Sequence, residues 1–163
     1  MPLVIADTSL LVAFSGIDRL DVLRSVFPDV AIPPAVLSEL EDGDWKEATA
    51  ALLAIRAGDW IRIQHVASIS LPIAAPASLG AGELQVLSLA FQLRKSALID
   101  DGQACRFAER IAVPVIRSLA ILARAKEIAL IEAVRPLVTG MVQNGIRFAP
   151  EVISRFLAAM GES

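Results

Sequence analysis

The chain has 163 residues and a mass of 17.3 kDa; 55% of the residues are hydrophobic, 20% charged and 5% aromatic, with no Tyr. One folded domain with an aliphatic core is expected, disorder is excluded as the general state, and one Cys (Cys105) and one His (His65) leave no internal disulfide and no Cys/His zinc site. The net charge of −3 is unevenly spread: residues 1–50 hold three Lys/Arg against nine Asp/Glu, and residues 90–163 hold ten against seven.

Leu3–Ala6 is an apolar run ending in Asp7-Thr8-Ser9, which predicts a buried strand and a turn. The opening MPLVIADTS places no basic region before an apolar one, so no secretory signal is expected there. Leu10 to Phe27 reads as helical, broken near Gly16. Val30–Ile32 predicts a second strand, and Pro34 can open the next helix because its missing N–H costs nothing in a first turn. Asp44 is expected to cap a helix that runs to Ala57 and is closed by Gly58. Trp60–Val66 alternates like an edge strand. Val66 to Gly82 is uncharged, but with three Ser, two Pro and two Gly it falls short of the roughly 20 apolar residues of a membrane span.

Helix, strand, helix and strand are then expected over Gly80–Leu93, Ala97–Ile99, Gly102–Ile111 and Val113–Ile116. Ser118 caps a helix to about Ile128, and two more follow at roughly Glu132–Asn144 and Pro150–Met160. Short apolar strands alternating with helices predict an α/β fold with a parallel sheet buried on both faces. One domain over residues 1–163 is expected, with the helices from about 132 packed on it. Ala and Leu recur through Leu10–Val26 and Leu119–Ile131 more densely than one buried face requires, which predicts a homodimer.

In such sheets, sites form at the carboxyl ends of strands. Asp7 follows the first strand, Asp100 and Asp101 follow the Ala97–Ile99 strand, Glu83 lies in the first turn of a helix, and Glu39 lies one to two turns into the helix after the second strand. Each has a structural alternative: strands end where the chain meets water, and an acid in a first turn is favoured by the helix dipole. Carboxylates converging in one cleft repel one another unless a cation neutralises them, and an oxygen-only ligand set suits Mg²⁺ or Mn²⁺. Ser9 could bond a metal-bound water, a phosphate oxygen or a backbone group of its own turn. Arg106 and Arg110, spaced i,i+4, could face phosphates or pair with neighbouring acids, and Arg94-Lys95 could do the same or simply end a helix. His65 and Cys105 read as structural, the latter as core.

At these residues the sequence resembles a known family. VIADTSLLVAF, IPPAVLSELE, LGAGELQVLSLA and ALIDDGQACRFAERIAVPVI are similar, in order and spacing, to the successive acidic motifs of PIN domains. The tail SLAILARAKEIALIEAVRPLVTGMVQNGIRF is similar to an uncharacterised prokaryotic branch related to the VapC-type toxins. The resemblance implies a three-layer α/β/α fold around a parallel sheet of about five strands. It also implies a cytoplasmic Mg²⁺- or Mn²⁺-dependent endoribonuclease, the toxin of a toxin–antitoxin pair, with RNA as substrate, a small antitoxin as partner and a homodimeric state. By motif, Asp7, Glu39, Glu83 and Asp100 would be catalytic; Asp7, Glu83, Asp100 and Asp101 would hold metal, with Ser9 in support and Asp101 competing with Asp100. Two departures stand out: Glu83 replaces an Asp common in the family, and Arg117-Ser118-Leu119-Ala120 replaces a Gly-Thr-Leu-Gly turn. They leave room for a catalytically weak or inactive nucleic-acid-binding or regulatory module. A phosphoryl-transfer protein also has an Asp after its first strand, but Ser9 and Ile116-Arg117 stand where a phosphatase and a receiver need Asp and Lys.

Overall fold

The computed structural model describes residues 2–43 and 46–163, so the cap expected of Asp44 lies outside the described residues. Five strands form one parallel sheet: β1 (Val4–Ala6), β2 (Val30–Ile32), β3 (Ile61–Ile63), β4 (Ser96–Leu98) and β5 (Val115–Ile116). Their order is β3-β2-β1-β4-β5. The apolar triplets of β1 and β2 are buried throughout, as central parallel strands require. β3 is shorter than Trp60–Val66 because an edge strand pairs only as far as its one neighbour reaches; Gln64 N–H closes the ladder on the Ile32 carbonyl at 2.8 Å. β5 begins after Pro114, which has no N–H to donate but whose carbonyl accepts from Ala97.

Nine α-helices among the described residues cover the sheet: α1 (Thr8–Gly16), α2 (Leu20–Val26), α3 (Pro34–Asp42), α4 (Thr49–Ala57), α5 (Ala81–Leu93), α6 (Gly102–Arg110), α7 (Ser118–Glu127), α8 (Arg135–Gln143) and α9 (Pro150–Ala159). The first helix starts earlier than the apolar pattern suggests, with Asp7 in extended backbone at its N-cap. Pro34 does open α3, and Gly58, in the left-handed region at φ 70°, closes α4. None of these helices is long and apolar enough to cross a membrane.

Most of the apolar density that suggested a homodimer is used within one chain. Leu10, Leu11 and Phe14 are fully buried under the sheet, and α2 packs against α7. Within the second segment Ile128 and Leu130 stay exposed.

The C-terminus is tied down by a polar clamp. Lys126 Nζ donates to the Met160 carbonyl at 2.6 Å and to the Glu162 carboxylate at 2.8 Å. That carboxylate also accepts the Val134 and Arg135 N–H groups at 2.9 and 3.0 Å, so it caps α8 from a distance. The hydrogen bond from Lys126 and the two N–H groups hold the Glu162 carboxyl down at about 2. A depressed folded value contributes stability above the ordinary Glu range that is lost as pH falls through about 2. Glu162→Ala should therefore speed amide exchange in residues 134–138 and 150–160 at neutral pH, with the sheet unchanged; equal exchange in both proteins would mean the clamp holds nothing.

Candidate active site

The topology decides where a site can form. The chain lays down β1, β2 and β3 in one direction and then returns to place β4 on the other side of β1, so the order reverses between β1 and β4. Crossovers leave β1 and β4 on opposite faces, opening a crevice beyond their carboxyl ends. Asp7 leaves β1 there and Asp100-Asp101 leave β4 there; Asp7 N–H is still bonded to the Leu98 carbonyl at 3.0 Å. α3 and α5, which carry Glu39 and Glu83, pack on each other beside the crevice.

Two adjoining hollows make up the cleft. One, of about 560 Å³, is lined by Asp7, Thr8, Ser9, Glu39 and Glu83. The other, of about 370 Å³, is lined by Ser9, Glu83, Asp100, Asp101 and Arg147. Ser9 and Glu83 belong to both. The structure thus brings Asp7, Ser9, Glu39, Glu83, Asp100 and Asp101 to one cleft.

Within the cleft the acids differ. Asp7 is 4% exposed, and burial is the main cause that pushes its carboxyl up to about 7. The Thr8 backbone N–H pulls the other way, and Glu83, Glu39 and Asp101 raise the value further, so every charge acting on Asp7 is negative. Glu83 is raised too, first by burial and then by Asp101 and Glu39, against a hydrogen bond from Gly80 N–H at 3.0 Å. That bond is one half of a capping interaction at the start of α5, so the helix-start role and the cleft position coincide.

Glu39 is held rigidly. Thr8 Oγ1 donates to its Oε2 and Gly82 N–H donates to its Oε1 at 3.0 Å. A Cβ on Gly82 would lie 2.6 Å from Oε2, so the absence of a side chain there lets α5 approach the carboxylate. Thr8 and Gly82 are partners of Glu39 that sequence reasoning missed; their only local signal was a hydroxyl and a glycine beside predicted acids. Gly82→Ala would gain about 1 kcal/mol of helix propensity and lose charge-assisted hydrogen bonds of about 1.5–3 kcal/mol, part of which solvent restores to the half-buried Glu39. Stability should therefore change by no more than about 1 kcal/mol in denaturant melts. Turnover should fall at least about tenfold as Glu39 is displaced; full activity would show that its placement does not matter.

Asp100 and Asp101 diverge. Ser118 N–H donates to Asp100 Oδ1 at 2.9 Å and Ser118 Oγ donates to Oδ2, while Arg117 Nη2 donates to the Asp100 carbonyl at 2.5 Å. Ser118, expected to cap α7, is its first residue, and Asp100 caps that helix from the neighbouring strand end. Asp101 is the N-cap of α6, accepting Ala104 N–H at 2.8 Å, and it is the member of the pair whose charge acts on both Asp7 and Glu83.

The cations are not where spacing alone would put them. Arg106 is exposed, with its guanidinium beside Gly102, and neither it nor Arg110 lines either hollow. Arg94 and Lys95 precede β4 and line a separate hollow with Ile111–Pro114, the residues leading into β5, at the opposite end of the sheet from the acids. They serve the helix end, where Arg94 is the left-handed C-cap of α5. Arg147, in the α8–α9 connection after Gly145 at φ 92°, borders the acids instead. His65 is exposed past the edge strand. Cys105 is half-buried rather than core; burial pushes its thiol up.

Among the described residues no three His, Cys, Asp or Glu side chains are drawn together tightly enough to form a ready-made metal cage. The reason is local: Glu39, Glu83, Asp100 and Asp101 are each turned onto nearby N–H or O–H groups. The donor set still fits a hard divalent cation, since every candidate ligand is a carboxylate oxygen and Asp7 is buried among negative neighbours.

A family model described as DUF3368: PIN domain matches residues 3–162. Among solved structures, the chain is similar to a PilT N-terminus domain protein, SSO1118, from the archaeon Sulfolobus solfataricus P2. That likeness has a TM-score of 0.51 and 14% identity, and covers 76% of this chain and 93% of that one. No curated protein matches.

Proposed function

The chain belongs to the PIN domain family, whose members are generally nucleases, and on that premise we propose that it is a Mg²⁺- or Mn²⁺-dependent endoribonuclease acting as the toxin of a toxin–antitoxin pair. The observation that carries this reading is a buried Asp7 carboxyl, whose charged neighbours are all acids, at the reversal point of the sheet. Asp7, Glu83 and Asp101 would hold the cation through carboxylate oxygens. A bound divalent ion supplies a lowered pKa for water and charge stabilisation on a phosphodiester. Compensation of the negative charge around Asp7 lets its carboxyl ionise near neutral pH. Glu39, pinned by Thr8 and Gly82, keeps a carboxylate fixed at the wall, and Ser9, at the junction of the two hollows, can hydrogen-bond a phosphate oxygen. Asp100 acts through Ser118, holding the start of α7 against the cleft.

The test is cleavage of single-stranded RNA with Mn²⁺, with chelator, and with Asp7→Asn. Cleavage only by wild type with metal is expected; cleavage unaffected by chelator or by Asp7→Asn would overturn the reading. One observation favours a second reading, a nucleic-acid-binding module without turnover: Glu39, Glu83, Asp100 and Asp101 already spend carboxylate oxygens on local hydrogen bonds. RNA binding without cleavage would select it. The toxin role predicts growth arrest on expression, relieved by a small protein encoded beside it. The exposed Ile69 and Ile73, in the uncharged loop before α5, offer apolar surface to such a partner or to a second copy, and sedimentation distinguishes monomer from homodimer.

A further inference from the structure

A third, more enclosed hollow of about 260 Å³ adjoins the acidic cleft. The β5–α7 turn supplies Arg117, the first turn of α7 supplies Leu119, the α8–α9 connection supplies Arg147 and Phe148, α9 supplies Val152, and Asp100 closes one side. Arg147 and Asp100 border both this hollow and the acidic one. Among the described residues Arg147 forms no ion pair. Asp100 spends its carboxylate on Ser118, and the Arg117 contact to Asp100 goes to the backbone carbonyl, so both guanidiniums keep their charge for a ligand. Phe148 is half-buried and packed against the core, which fixes its ring.

The chemistry of this wall selects its occupant. Two guanidiniums call for an anion, and Arg favours phosphate through its planar fork. Phosphate alone has no use for Phe148, Leu119 and Val152. An unpaired nucleotide satisfies both halves: proteins that read single-stranded RNA stack splayed bases on aromatic rings and hold the adjoining phosphate with Arg. We propose that this hollow is a base-recognition subsite for one unpaired nucleotide, with its base against Phe148 and its phosphate between Arg117 and Arg147. The identity of the polymer as RNA rests on the nuclease reading; nucleotide binding does not. Cleavage would then fall at a constant offset from an unpaired base.

The test uses metal-free protein, so that the acidic cleft takes no part. Nucleoside 5′-monophosphates and inorganic phosphate are titrated into wild type, Arg147→Gln and Phe148→Leu while backbone amide resonances are followed. The monophosphates should shift Leu119, Arg147, Phe148 and Val152 and bind more tightly than phosphate. Phe148→Leu should weaken them about tenfold while leaving phosphate unchanged, and Arg147→Gln should weaken both. On an RNA duplex with one unpaired bulge beside the cut, Phe148→Leu should scatter the cut positions. Monophosphates that bind no better than phosphate, or that shift other residues, overturn the proposal, as does unchanged monophosphate binding by Phe148→Leu. Monophosphate binding at these residues in a protein that cuts no RNA would keep the subsite and remove the nuclease reading.

Discussion

Metal-free Asp7→Asn should be more stable than wild type at pH 7.5, and the difference should vanish near pH 4. Asp7 has a folded value of about 7 against an ordinary carboxyl near 4. Between those values the folded protein binds a proton that the unfolded chain does not, so wild-type stability falls as pH rises and levels off above about 7. The window spans about three pH units, on the order of 4 kcal/mol for a group this buried. Asn keeps an acceptor for the Thr8 N–H, removes the charge and so removes this slope. Glu83 titrates in the same sense but is present in both proteins, so the difference between the two melting curves isolates Asp7. Mn²⁺ should narrow the gap: at 100 times its dissociation constant it stabilises wild type by about 2.7 kcal/mol, and Asp7→Asn should lose most of that. Parallel pH profiles would show that Asp7 is not buried as a neutral acid. A full Mn²⁺ gain by the variant would show that it is not a ligand.

The parallel sheet was legible because the periodic signal is strong there. Val4–Ala6 and Val30–Ile32 are runs of fully buried residues, and Pro34 and Gly58 mark helix ends by backbone chemistry that does not depend on distant partners. The acids at strand ends were legible for a related reason, since strand carboxyl ends and the reversal of strand order follow from connectivity. What the sequence hid depends on pairings between remote residues. Glu39 finds Thr8 31 positions away, and Asp100 finds Ser118 18 positions on. Arg94 and Lys95 look as basic as Arg147 in a linear reading. Only the fold puts the first two at the amino ends of the strands and the third beside the acids. The homodimer expectation turns on the same kind of fact: whether an apolar helix face meets a second chain or another helix of its own chain is a tertiary matter, and here α2 meets α7 while Ile128 and Leu130 stay exposed.

Asp100 and Asp101, adjacent and chemically identical, should respond oppositely to the same substitution. Asp100 is bound through both carboxylate oxygens to Ser118, which is fully buried, and it caps α7. Asp100→Asn keeps one acceptor but places an NH₂ against a donor, losing hydrogen bonds to a charged group of about 1.5–3 kcal/mol. The expected result is a lower melting temperature with Mn²⁺ affinity little changed in the folded protein. Asp101 accepts a single N–H as an N-cap, a role Asn fills about equally well, so Asp101→Asn should melt within about 0.5 kcal/mol of wild type. Its charge, however, acts on Asp7 and Glu83, the two acids whose carboxyls are raised in the cleft. Removing it should lower Mn²⁺ affinity and turnover by more than the roughly 10–100-fold typical of a residue that merely orients a ligand. It should also lower the Asp7 value in the metal-free protein, because one repelling charge is gone. Measuring melts, Mn²⁺ titrations and turnover on both variants separates the roles. If Asp100→Asn loses metal while Asp101→Asn keeps it, the carboxylate bonded to Ser118 is the ligand, and its hydrogen bonds orient it for the ion rather than hold it away.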